Sequence, residues 1–298
     1  MEQKRVIAIG FFDGVHLGHG ALLRRARQVA DGLGLPAAAL TFDRHPSALL
    51  GGAPVQLLTS AAERAGLMRR LYGMDQVHIA RFDRAMLEMP WQAYVTDYLC
   101  GRLGAAHIIC GHDHRFGWRG EGNPDRLRAL CGRLGVGCDV VERVTVHGET
   151  VSSTAIRGLV AEGQMEEAAA LLGHPHCLTG TVVHGRQLGR QLGTPTANLL
   201  LPEGVLAPAF GVYATAVVVD GRRHPAVTNV GVRPTVEGDG RVTVEPWILD
   251  FSEDLYGREL RVEFLRFLRP ERKFPDLEAL RAAILENAAQ TRAYFDAR

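Results

Sequence analysis

The stretch Val6–His19, VIAIGFFDGVHLGH, is where the reading of this chain begins. Its first four residues form an apolar run of the kind that makes a buried strand. Two glycines, an Asp and two histidines follow at once. In a doubly wound sheet the turn after the first strand faces the ligand crevice at the carboxyl ends of the strands. Gly10 and Gly14 let backbone N–H groups approach a phosphate there, and the next helix offers its positive end. The spacing is neither the dinucleotide fingerprint nor a P-loop, since no Gly-Lys-Ser/Thr follows. His16 and His19 stand three apart, so one helical face presents both to the same anion. Such a pair suits nucleotidyl transfer: attack on the α-phosphorus of ATP builds charge on its equatorial oxygens, and fixed donors there lower the barrier. The plainer reading is a glycine turn with surface histidines.

Working outward, the first half alternates. Strand patterns in RVIAIG, AAALTF, QVHIARF, AHIICG and CDVVERV are separated by helical patterns, among them AAERAGLMRRLY, WQAYVTDYLCGRL and PDRLRALCGRLG. This alternation predicts a parallel sheet with helices on both faces. Near residue 175 the pattern changes. HPHCL (174–178) reads as a connector, and the runs TGTVVHG, GVYATAVVVDG, HPAVTNVG, RVTVEPWILDF and ELRVEFLRFL predict an antiparallel barrel or sandwich. PDLEALRAAILENAAQTRAYF closes the chain as an amphipathic helix. The expected organisation is an α/β domain over 1–174 and a β-barrel-like domain with a C-terminal helix over 175–298.

The balance of 34 Lys and Arg against 33 Asp and Glu gives no global field for nucleic acid or an anionic membrane, so any anion site must be local. No segment has the length and apolarity of a membrane span, and Asp13 arrives too early for a signal peptide. Five cysteines with no C-x-x-C pairing fit reduced thiols and a cytoplasmic chain. The pairs His112/His114 and His174/His176 invite a zinc reading, but no further ligands stand at a structural-site spacing.

GFFDGVHLGH resembles the signature of the bacterial bifunctional riboflavin kinase/FAD synthetases. LTFDRHP, CGHDHRFGWRGEGN and VSSTAIR resemble three further elements of that family, in order. The resemblance implies a Rossmann-like nucleotidyltransferase domain in which His16 and His19 contact the triphosphate of ATP, with Gly10, Asp13 and Gly14 in the loop. It implies that Ser153, Thr154 and Arg157 meet the phosphates from the other side, and that His45 and Asp113 hold nucleotide or flavin. One departure is His114, where the family usually carries Phe, which touches a stacking contact rather than the transfer chemistry.

GTPTANLLLP, GVYA, NVGVRPT, LDF, DLYGRELRVEF and LRPERKFPDLEAL resemble the family's riboflavin kinase half. The implied roles are Gly193 and Thr196 at the nucleotide, Thr196 and Asn198 at Mg²⁺ as hard oxygen ligands, and Glu245 as the base for the riboflavin 5′-hydroxyl. Read alone, P-T-A-N is a turn into a strand and Glu245 a solvated side chain. A second departure is VEPWILDF for the family's V-E-x-H-L-L-D-F: Pro246 removes a backbone donor and Trp247 replaces a histidine. Strand pairing around the base is therefore expected to differ. Trp247 cannot accept a proton, and Trp247→His is expected to leave the kinase equal or faster. The expected activities are FMN from riboflavin and ATP, and FAD plus pyrophosphate from FMN and ATP. The alternatives are an FAD synthetase with a weakened kinase, or a non-catalytic flavin-binding regulator. ATP, riboflavin and FMN are the expected partners, with no nucleic acid and no membrane.

Overall fold

Strand β1 (Arg5–Ile9) lies at the centre of a parallel sheet, between β2 (Ala37–Phe42) and β4 (Ala105–Gly111). β3 (Gln76–Ala80) and β5 (Gly137–Val141) complete the order β3-β2-β1-β4-β5. These coordinates are a computed structural model that describes residues 3–49, 51, 54–146, 148–184, 193–233 and 241–297. Val6 to Ile9 and all of β2 are buried, as expected of strands covered on both faces. The covering helices include α1 (Leu17–Leu33), α2 (Ala61–Tyr72), the short α3 (Arg84–Leu87), α4 (Trp91–Ala93), which runs on as a π-helix over Tyr94–Arg102, and α5 (Pro124–Leu134). Sequence sets their ends. Ser60 and Asn123 accept from backbone N–H groups three residues on, Pro124 stands at the first turn, and Gly34, Gly73 and Gly135 close three helices with left-handed φ. The strand order reverses between β1 and β4, so a crevice opens at their carboxyl ends.

A small hairpin, β6 (Thr145–Val146) with β7 (Glu149–Thr150), precedes α6 (Ser153–Ala161) and α7 (Met165–Leu172). Then comes a closed antiparallel barrel rather than a sandwich. Its strands are β8 (His176–Val183), β9 (Asn198–Leu200), β10 (Gly211–Val219), β11 (Arg222–Arg233), β12 (Arg241–Ile248) and β13 (Glu259–Arg269), ordered β10-β11-β12-β9-β8-β13. Closure through β10 and β13 removes the open edges a sandwich would leave. Helix α8 (Leu277–Asp296), capped by Asp276, packs on β10 and β11.

The segment read as a connector is partly strand: His176, Cys177 and Leu178 pair with Phe264, Glu263 and Val262. A buried imidazole beside Phe264 masks the apolar pattern that would have marked β8. Burial, with His174 nearby, pushes the His176 imidazole down to about 3. The unfolded chain therefore takes up a proton first as pH falls, and the barrel loses stability below about 6.5. Between pH 6.5 and pH 5 this group should cost about 1.5 kcal/mol, a loss absent from His176→Phe. Urea unfolding at both pH values, followed by Trp247 fluorescence in a Trp91→Phe/Trp118→Phe background, reads the difference. Equal acid sensitivity in the two proteins would refute it.

Contacts divide the chain into two compact units, Met1–Ser153 and Thr154–Arg298. The pattern change at 174/175 lies inside the second, because α7 packs on β13 and β8 and Arg266 pairs with Glu166 at 3.0 Å. A fragment 154–298 should therefore unfold cooperatively at a higher temperature than 175–298, which bares the apolar face that α7 covers. Equal melting midpoints would show that α6 and α7 add nothing to the barrel.

Candidate active sites

The first site grows from the strained turn between β1 and α1. Phe12 and Val15 adopt left-handed φ values of 60° and 47°, on either side of Gly14 at 76°. Such φ angles cost a non-glycine residue about 1–3 kcal/mol and persist only where the surroundings impose them. Beside this turn lies Arg64 of α2, which is fully buried. Its guanidinium donates to the carbonyls of Phe11 (3.0 Å), Phe42 (3.0 Å) and Thr59 (3.3 Å) and to Thr41 Oγ1 (2.8 Å). It also lies 4.2 Å from the Phe11 ring centroid. Burial lowers its pKa to about 10 and the Asp13 charge opposes that, so it remains a cation at neutral pH. Sequence reading missed Arg64. The available signal was an Arg sharing the apolar stripe of Leu67 and Met68 at helical spacing.

This turn sets the histidines. His16 caps α1, and its Nδ1 accepts from the His19 backbone N–H at 3.3 Å. In the neutral ring the proton then sits on Nε2, so that edge is the donor. The two rings stack with centroids 3.6 Å apart. Burial, then His16, then Arg64 hold the His19 pKa well below its ordinary value, so His19 is neutral in the free protein. Its Nδ1 is buried with no hydrogen-bond partner.

Both histidines line a cavity of about 820 Å³ at the carboxyl ends of β1, β4 and β5. Gly10, Gly18, His45, Asp113, His114 and Ser153 also line it. His45 meets the Phe11 ring edge-on, with its Nδ1 2.6 Å from Ser47 Oγ. His114, the departure from the family pattern, stacks on Phe116, and burial lowers its pKa to about 4, against an opposing effect of Asp113. It is a neutral ring rather than an anion-binding cation. Asp13 and Gly14 stand one layer back. The Asp13 carboxylate accepts from Thr59 N at 3.2 Å, the Gly14 N–H donates to Thr59 Oγ1 at 3.1 Å, and Ser153 Oγ donates to the Asp13 carbonyl at 2.9 Å. Thr154 and Arg157 fall in the second unit, where Arg157 Nη2 donates to Thr154 Oγ1 at 3.1 Å.

The second site is built on β12 and β9. Ladder pairing with β11 runs unbroken from Ala226–Ile248 to Arg233–Arg241, straight through Thr228–Pro246. The expected disturbance at Pro246 is absent, and its carbonyl still accepts from Ala197 N at 2.9 Å. Strand alternation separates the side chains. Glu245 and Trp247 face a cavity of about 400 Å³ that Phe274, Leu280 and Ile284 also line. Pro246 and Ile248 face another, of about 460 Å³, lined also by Asp254 and Tyr256. Thr196 lines both. Asn198 Oδ1 is buried with no hydrogen-bond partner. Gly193 takes a left-handed φ of 73° at the start of this loop, and residues 185–192 lie outside the described set. Among the described residues no group of three or more His, Cys, Asp or Glu is placed to hold a metal ion.

A FAD synthetase family model matches residues 1–155 and a riboflavin kinase model matches 172–295. The chain is 40% identical to the bifunctional riboflavin kinase/FMN adenylyltransferase of Listeria monocytogenes, spanning 99% of this chain and 93% of that one. It is 37% identical to the protein of the same name from Escherichia coli K12, spanning 99% and 94%. A crystal structure described as a macrolide-efflux protein from Streptococcus pneumoniae is similar at TM-score 0.85 and 29% identity, covering 98% of this chain and 95% of that one. No helix among the described residues is long and apolar enough to cross a membrane. With two family matches in tandem and relatives aligned along nearly their whole length, the chain belongs to the bifunctional riboflavin kinase/FMN adenylyltransferases, transferases that make FMN from riboflavin and then FAD from FMN.

Proposed function

We propose that the kinase reaction occurs where the two barrel cavities meet at Thr196. This shared residue is the observation that carries the reading. Riboflavin occupies the 400 Å³ cavity beside Trp247 and ATP the 460 Å³ cavity, so the 5′-hydroxyl approaches the γ-phosphorus past the Thr196 hydroxyl. Glu245, on the flavin side, accepts the hydroxyl proton as the oxygen–phosphorus bond forms and ADP leaves. Mg²⁺ fits Asn198 and Thr196: a buried amide oxygen lacking any partner is an open hard-oxygen ligand, and the Thr196 hydroxyl is another. When bound, the ion neutralises phosphate charge. Gly193 supports the nucleotide loop.

In the first unit, His16 and His19 are assigned to the α-phosphate of ATP. An FMN phosphate oxygen attacks the α-phosphorus and pyrophosphate departs. The chain's contribution is fixed N–H donors at the start of α1, set where charge develops, with His19 kept neutral by its burial. Gly10 and Ser153 border the same phosphates, and His45 and Asp113 border flavin or adenine. Asp13 and Gly14 are assigned to holding the turn, because their polar groups bond Thr59. The roles of Thr154 and Arg157 as triphosphate contacts rest on the S-S-T-x-I-R motif alone. The chain is assigned to the cytoplasm, where ATP is supplied, with small molecules rather than nucleic acid or membrane as partners.

Incubation of the purified chain with riboflavin, ATP and Mg²⁺, followed by separation of the flavins, tests the reading. FMN and then FAD should accumulate, and neither should form when Mg²⁺ is chelated. FMN formation undiminished by chelation would remove the metal assignment.

A further inference from the structure

We propose that Trp247 is a specificity-determining residue of the kinase, its indole being the face on which the isoalloxazine ring of riboflavin stacks. The inference rests on assigning the 400 Å³ cavity to riboflavin. Three observations carry it. Trp247 and Glu245 share a face of β12, two residues or about 6.5 Å apart along the strand. A ring held against Trp247 thus leaves a ribityl-length chain to reach Glu245 and Thr196. The indole is fixed from behind, packed with Leu268 on the buried cluster of Val212, Val227, Leu249 and Ala288, yet it is only half-buried and borders the cavity. The cavity's other walls set Phe274, Leu280 and Ile284 against the polar side chains of Asn229, Arg269, Glu271, Arg272 and Asn287, so the space beside the indole suits a flat ring system with one apolar edge and one edge of hydrogen-bonding groups.

Pro246 strengthens the arrangement. It fixes one backbone angle between Glu245 and Trp247, and the ladder is continuous on both sides of it, so base and stacking face keep a set relation. An imidazole at position 247 would offer a smaller face. On this geometry Trp247→His weakens flavin binding, the reverse of the direction expected from the sequence.

The test uses the full chain with Trp247→Leu, Trp247→Phe and Trp247→His, each assayed below its own melting transition and each retaining FAD formation from supplied FMN. An indole in van der Waals contact quenches flavin emission. Riboflavin saturated with the wild-type chain should therefore be dark, and its emission should rise severalfold in Trp247→Leu. KM for riboflavin should rise roughly tenfold in Trp247→Leu and roughly threefold in Trp247→Phe and Trp247→His, the scale of lost aromatic stacking and burial, while kcat changes less than about threefold. Emission that stays quenched in Trp247→Leu, or a fall in kcat with unchanged KM, would overturn the proposal. Ile284→Trp, which fills the cavity from α8, separates the two layers of inference by equilibrium dialysis with riboflavin. If it abolishes binding while Trp247→Leu has no effect, the cavity stands and the role of Trp247 falls. If binding survives Ile284→Trp, the cavity assignment falls and this proposal with it.

Discussion

His16→Ala and His19→Ala, made separately, should each lower FAD formation by about two to three orders of magnitude, the scale of removing a preorganised donor from a developing charge. FMN formation should stay near wild type, because Thr196, Asn198 and Glu245 belong to the other compact unit. The two variants differ in their cost to folding. His16 caps α1, so its loss should also cost about 1 kcal/mol of stability. His16→Asn keeps a capping side chain and should restore the melting midpoint without restoring the rate. His19 caps nothing, so its loss removes ring packing on His16 but leaves the cap of α1 in place. The pH profile gives a further check. Burial and two neighbouring cationic or ionisable groups hold the His19 pKa well below 6.5. The free protein therefore keeps His19 neutral as pH falls from 7.5 to 6, and kcat/KM for FAD formation should show no acid limb from this residue in that range. Arg64→Met removes one of those groups and should move the limb upward. Equal loss of both activities in either Ala variant would refute the assignment of the histidines to one reaction.

Glu245→Gln should cut FMN formation by about two orders of magnitude, as expected when a proton acceptor becomes an amide of the same shape. Glu245 is half-buried and aimed into the 400 Å³ cavity. Gln keeps the strand pairing with Asn229, so the stability change should stay within about 0.5 kcal/mol. FAD formation from supplied FMN should be unaffected. The kinetic pattern separates this role from that proposed for Trp247: loss of the acceptor lowers kcat at saturating riboflavin, whereas loss of the stacking face raises KM. A wild-type FMN rate in Glu245→Gln would mean the 5′-hydroxyl needs no side-chain base.

Sequence alone determined what is local. The alternation of strand and helix patterns in the first half and the period-two runs of the second are written in short windows, because backbone geometry and one-sided burial impose their periods there. Motif spacing likewise placed His16 and His19 on one helix start. Tertiary structure decided what depends on contacts between distant segments. Arg64 looks like one of several arginines on α2 until burial and the carbonyls of Phe11, Phe42 and Thr59 show it bonded beside a strained turn. Asp13, in the middle of the motif, turns away from the cavity because Thr59 is there to bond it. Pro246 reads as a disturbance of strand pairing, but the ladder carries β12 through it, and alternation then sends Glu245 and Trp247 to one cavity and Pro246 to the other. Which side chains share a cavity depends on how the barrel closes, and closure pairs residues as far apart as Val212 and Arg269, beyond the reach of any local pattern.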